Sequence, residues 1–211
     1  DLNRDNTLWN KNHSAPLADG RIVEKNSFRR SNYFDFVGQE CRHVQSSVGI
    51  LDMSAFSKAS VEGSDSETWL NSILANKVPS KPGRIALCHM LSLNGGVRAE
   101  FTVYRKSRNS FYLVFSGATE RHDWDYLNKL LPKNRSINIQ NITTQKGVFV
   151  IAGPKSRSLL QKLTDTSLDN EHFPWLTGKT VNIGYGIADA LRINFVGELG
   201  LSLIHISEPT R

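Results

Sequence analysis

Two carboxylates stand out for their settings. Glu198 closes the stretch Arg192-Ile193-Asn194-Phe195-Val196-Gly197-Glu198-Leu199-Gly200, where an apolar segment ends in a turn bracketed by glycines. A carboxylate held by a rigid turn can accept two parallel N–H bonds from the edge of a planar heterocycle, and charge-assisted pairs of this kind are the strong ones. The competing reading is a solvated turn glutamate, which the local pattern favours. Glu100 follows the turn Leu93-Asn94-Gly95-Gly96, in a run where Val97, Ala99, Phe101 and Val103 alternate with Arg98, Glu100, Thr102 and Tyr104. The alternation predicts a half-buried strand with Glu100 on its polar face. There Glu100 can orient an amine or take its proton, against the plainer reading of a solvent-facing strand residue.

Two further clusters contain histidine. Glu120-Arg121-His122-Asp123 opens a predicted helix, where acidic residues are favoured by the helix dipole, so a structural role is expected. His89 sits in the apolar run Ala86-Leu87-Cys88-His89-Met90-Leu91 and is read as a buried, hydrogen-bonded histidine. No His, Cys and Asp spacing suggests zinc. No serine elbow, phosphate-binding glycine loop or dinucleotide fingerprint is found.

Three units of one plan position these groups: a short apolar strand, a turn, then an amphipathic helix. In the first, residues 58–63 precede the capping stretch Ser64-Asp65-Ser66-Glu67 and a helix carrying Trp69, Leu70, Ile73 and Leu74. In the second, residues 111–115 lead through Ser116-Gly117-Ala118 to a helix with Trp124, Leu127, Leu130 and Leu131. In the third, residues 148–152 lead through Gly153-Pro154 to Leu159, Leu160 and Leu163, with Pro154 suited to a helix start. Residues 179–195 read as a hairpin around Gly184-Tyr185-Gly186. Strand pairs mixed with strand–helix units predict an α+β domain.

The chain is 39% hydrophobic and 22% charged, an ordinary globular balance. No apolar run approaches the ~20 residues of a membrane span. Cys41 and Cys88 form no disulfide framework, and a reducing compartment is the simple reading. The net charge of +6 suits nucleic acid or a small polyanionic ligand alike; without an aromatic–basic repeat, nucleic acid is not expected. Residues 1–25 are polar and read as a linker, or the end of a preceding oxidoreductase domain, and Asp1 is no initiator. Residues 201–211, LSLIHISEPTR, break the pattern and resemble the translation of a transposase adapter used in sequencing libraries. They are expected to be foreign to the domain, which then occupies residues 26–200 and stops short of its natural end.

Several segments resemble, in order and spacing, the folate domain of dimethylglycine and sarcosine dehydrogenases. They are Ser27-Phe28-Arg29-Arg30-Ser31-Asn32-Tyr33-Phe34, Val48-Gly49-Ile50-Leu51-Asp52-Met53-Ser54, Gly95 through Val103, Glu120-Arg121-His122-Asp123-Trp124, Ala152-Gly153-Pro154-Lys155-Ser156-Arg157 and Asn194 through Gly200. The wider superfamily includes the glycine-cleavage T-protein, an aminomethyltransferase. The resemblance implies a truncated cloverleaf of strand–helix units and antiparallel strands around a folate channel, with tetrahydrofolate accepting a one-carbon unit. It assigns Glu198 to the pterin, Glu100 to the reactive nitrogens, and the backbone of Phe101, Thr102, Leu199 and Gly200 to the remaining contacts. Glutamate at position 100, where the T-protein has aspartate, favours the dehydrogenase branch. Leu87 and Leu191 stand where the T-protein branch often carries tyrosines.

The resemblance further implies that an N-methyl amino acid is oxidised by a covalent-FAD domain before Asp1, so that the piece alone would oxidise no amine. The expected location is bacterial cytoplasm or the mitochondrial matrix. A free-standing aminomethyltransferase and a non-catalytic folate-binding module are the alternatives.

Overall fold

The computed structural model describes residues 34–134, 136–194 and 199–206. In chain order the elements are α1 (Phe34–Ser46), β1 (Gly49–Asp52), β2 (Ser57–Glu62), α2 (Ser66–Ile73), β3 (Ile85–Leu91), β4 (Val97–Ser107) and β5 (Ser110–Phe115). After them come α3 (Glu120–Lys129), β6 (Asn138–Asn141), a 3₁₀ turn (Thr143–Gln145), β7 (Lys146–Ala152), α4 (Ser156–Gln161), β8 (Gly178–Ile183), β9 (Gly186–Leu191) and β10 (Gly200–Ile206). The strands form two antiparallel five-stranded sheets, ordered β3-β4-β5-β2-β6 and β1-β7-β10-β9-β8. This is the α+β architecture expected, with each of the three strand–helix units in place.

Alternation decides what each sheet face buries. On β4, Ala99, Phe101 and Val103 turn to a core shared with Trp69 and Leu70 of α2 and Leu127 of α3. Phe101, Phe111 and Phe115 are almost fully buried there, each worth roughly 1.5–3 kcal/mol. On the second sheet, Ile151, Ala190 and Leu201 pack with Leu160 of α4 and with Phe173. A third cluster lies where the sheets meet and contains Tyr104 and Tyr112 from one and Val148 and Leu191 from the other.

The helix starts differ in detail from their sequence signals. Asp65 takes the cap position of α2 without a side-chain cap bond. Instead the Ser66 hydroxyl donates to Gly63 O at 2.8 Å. Pro154 precedes the α4 cap, Lys155, rather than lying in the first turn. The basic stretch Arg105-Lys106-Ser107-Arg108 is partly internal. Arg105 is buried and donates to Pro79 O at 3.0 Å while pairing with Glu67 Oε2 at 2.8 Å, and Lys106 pairs with Asp189. Cys41 is exposed and Cys88 buried, and neither forms a disulfide. Residues 200–206 form a central strand between β7 and β9. No helix among the described residues is long and apolar enough to cross a membrane.

Candidate active site

The two sheets leave a cleft of about 720 Å³ at one end of their junction. It follows from the β4 pattern. Residues that alternate away from the helix-covered core point toward the second sheet, and near the start of β4 that sheet does not reach across. Glu100 and Thr102 line the cleft, with Arg98 beside them. Met53, Phe56 and Val114 supply apolar wall and continue into a narrow crevice lined by Leu191 and Ser202.

Glu100 does not stand alone. The register of β3 on β4 places His89 directly opposite, and His89 Nε2 lies 3.1 Å from Glu100 Oε2. The two side chains are 38% and 58% exposed, and Glu100 lines the cleft. The expectation of a buried His89 is therefore corrected. Cys88 and Met90 point into the core, and alternation sends His89 outward with Leu87 and Leu91. The apolar run concealed this, because those leucines are themselves exposed.

Arg98 is held from two directions. Its guanidinium lies 3.8 Å over the Tyr126 ring, and Nη2 is 2.9 Å from His122 Nε2. Arginine can only donate, so His122 Nε2 accepts and its Nδ1–H donates to Asp123 Oδ1 at 2.9 Å. Buried Asp123 also accepts from Thr119 Oγ1 at 2.6 Å. The Arg98 Nε is buried without a partner among the described residues. The cluster at the start of α3 thus divides. Asp123 and His122 orient Arg98 at the cleft. Glu120 turns away, and its bond from Asn141 Nδ2 at 2.6 Å is the main cause holding its carboxyl below the usual range, with Lys58 adding to it.

Asp52 stands at the cleft's other wall, a residue that sequence reasoning alone misses. Hydrogen bonds from the Ser54 hydroxyl and then its backbone N–H keep this carboxylate below its ordinary pKa. The Asp-x-Ser spacing was its only local signal. Arg98 had a clearer one, since it shares the period-two face with Glu100.

The other expected residues are distributed unevenly. Phe101 turns its side chain into the core, against Phe115 at 5.2 Å between ring centres. Its backbone lies between β3 and β5. The Leu199 carbonyl accepts from Gly153 N–H at 3.0 Å and from Ser156 Oγ at 3.1 Å, and Gly200 opens β10 opposite Ala152. Neither lines the cleft, although Ser202, two positions on, lines the crevice. Glu198 lies outside the described residues. Leu191 is buried in the crevice wall, whereas Leu87 is about half exposed. Among the described residues no group of His, Cys, Asp and Glu could hold a metal ion.

A cleft of this size, with apolar walls and few polar groups, is proportioned for one organic ligand. Among its polar groups, Glu100 can accept N–H bonds and Arg98 offers a fixed cation.

The profile of the GCVT N-terminal domain matches residues 12–209. Mouse mitochondrial dimethylglycine dehydrogenase is 39% identical over 183 residues, covering 86% of this chain and 21% of that protein. Human mitochondrial sarcosine dehydrogenase is 28% identical over 196 residues, with the same coverages. The chain thus spans about a fifth of the length of these relatives. The crystal structure of the glycine cleavage system aminomethyltransferase T from Bartonella henselae superposes with a TM-score of 0.69 at 17% identity, covering 94% of this chain and 51% of that one.

Proposed function

The chain belongs to the GCVT N-terminal domain family, an aminomethyltransferase-like domain related to dimethylglycine and sarcosine dehydrogenases, and from that premise we propose that its cleft passes a one-carbon unit to tetrahydrofolate. The observation that carries the reading is Glu100, paired with His89 on the wall of an apolar cleft. Tetrahydrofolate, when bound, supplies the amine nitrogens that take up the carbon. Glu100 accepts the proton that such a nitrogen sheds as its bond to carbon forms. His89 keeps the carboxylate aimed across the strand pair and shares the proton. Met53, Phe56 and Val114 exclude water from the reacting atoms, and Arg98 faces a ligand carboxylate.

In this reading Glu198 receives the ring edge from the far side, with the backbone of Leu199 and Gly200, while that of Phe101 and Thr102 frames Glu100. Oxidation of the N-methyl amino acid, and the FAD it requires, belong to sequence outside these 211 residues. The domain then works in the mitochondrial matrix of a eukaryote or the cytoplasm of a bacterium.

The test is calorimetry of tetrahydrofolate binding to the full-length protein and its Glu198→Gln variant. The amide keeps the shape, removes the charge and sets a donor against the ligand's amino group. Affinity is expected to fall by roughly 1.5–3 kcal/mol, the worth of hydrogen bonds to a charged group. An unchanged affinity rejects the assignment of Glu198.

A further inference from the structure

A second cavity, of about 450 Å³, opens on the same face of the first sheet but toward the other end of β2 and β5. It is lined by Lys106, Lys146, Tyr112, Ser60, Ser110 and Glu62, among others, and shares no residue with the cleft of Glu100. Among the described residues, its two lysines have one carboxylate within ion-pairing distance between them, that of Asp189, because Glu62 pairs with neither. Asp189 already spends Oδ2 on Lys106 at 2.7 Å and Oδ1 on Thr180 at 2.7 Å. Lys146 Nζ, 5.6 Å from the centre of the Tyr112 ring, forms no ion pair with any described residue. Burial first, then the nearby charge of Lys106, holds its ammonium below the ordinary lysine range. The Tyr112 side chain is about 95% buried by its 5% exposure, and its hydroxyl has no hydrogen-bond partner among the described residues. A buried unpaired hydroxyl is costly, and two neighbouring lysines sharing one carboxylate repel each other. One compact anion relieves both.

We propose that this cavity binds a small metabolite through a carboxylate or phosphate group, seated between Lys106 and Lys146 with the Tyr112 hydroxyl as a further donor. The cavity exceeds a lone ion, so the ligand has a body, which rests against the Ser60 and Ser110 hydroxyls. Glu62, at the rim with Ser110 Oγ 3.4 Å from its Oε1, disfavours a second negative charge there. The site is independent of the one-carbon reading and stands if that reading fails.

The experiment uses the full-length protein with two probes, inorganic phosphate and glutarate, each against chloride at equal ionic strength. Lysine acylation is mapped by mass spectrometry. At about ten times its Kd a bound probe lowers the labelling of Lys146 roughly tenfold, while the exposed Lys77 and Lys129 are unaffected. Protection by phosphate alone identifies a phosphate-bearing ligand, and protection by glutarate alone a carboxylate. Lys146→Gln is expected to abolish the thermal stabilisation either probe confers. Tyr112→Phe is expected to melt higher than the parent without probe, since the unpaired hydroxyl is gone, yet to bind the probe more weakly. Glu100→Gln is expected to leave all of these readings unchanged. If neither probe protects Lys146 more than Lys77, or if Tyr112→Phe binds as tightly as the parent, the site does not exist.

Discussion

Replacing Glu100 by Gln separates a carrier of chemistry from a shaper of the cleft. The structure sets the size of the unwanted effect. The Glu100 side chain is 58% exposed, and its one ion pair among the described residues is to a histidine itself 38% exposed. A solvent-exposed pair of this kind contributes about 0–1 kcal/mol, so the variant is expected to melt within a few degrees of the parent. Gln also fills the same volume, so folate affinity is expected to stay within a few fold. The effect on chemistry is of another order. Positioned acid–base help is worth about 10²–10⁴ in rate, or roughly 2.7–5.4 kcal/mol of barrier. The assay pairs flavin reduction with product partition in the full-length protein, with a scavenger present to trap free formaldehyde. Flavin reduction is expected to continue at the parental rate, with the carbon released as formaldehyde instead of methylenetetrahydrofolate. Normal methylenetetrahydrofolate formation would refute the reasoning and leave Glu100 as a solvated strand residue. Equal loss of both activities would point to misfolding, which the melting curve checks directly.

Gly117→Ala is expected to destabilise the domain by about 1–3 kcal/mol in thermal unfolding, because an added Cβ would lie 2.0 Å from the Ala55 carbonyl oxygen; an unchanged melting temperature contradicts that close approach. Lys58 is fully buried with Nζ on Ser54 O at 2.8 Å, and burial lowers its pKa from the ordinary 10.5. The unfolded chain therefore holds that proton more tightly, and the contribution of Lys58 to stability rises with pH from its folded pKa up to about 10.5. Subtracting the stability of Lys58→Met from that of the parent across alkaline pH is expected to give a rising difference, and parallel curves would rule this out. For the tail, long-read sequencing of the locus is expected to replace the codons of residues 201–211 with a different strand that keeps apolar side chains opposite Ile151 and Phe149, the partners of Leu201 and Leu203; finding the same eleven codons in place ends that idea.

What the sequence determined by itself was local. The period-two alternation from Val97 to Tyr104 put Glu100 and Arg98 on one face, and Asn94-Gly95-Gly96 marked the turn, where Gly95 adopts a φ of 82°. The switch from period two to period 3.6 marked the three strand–helix units, since these periods follow from backbone geometry within a few residues. The partners of Glu100 were not legible. His89 meets it only because β3 and β4 pair antiparallel in that register, and the apolar run around His89 carries no mark of which face the sheets leave open. His122 meets Arg98 across 24 positions of chain because α3 packs on the sheet containing β4. Which strands become neighbours, and where two twisted sheets stop covering each other, depends on burying all the apolar faces at once. That condition belongs to the whole chain, so the α+β class could be read from segments, whereas the cleft, its histidine and its oriented arginine were decided only by tertiary packing.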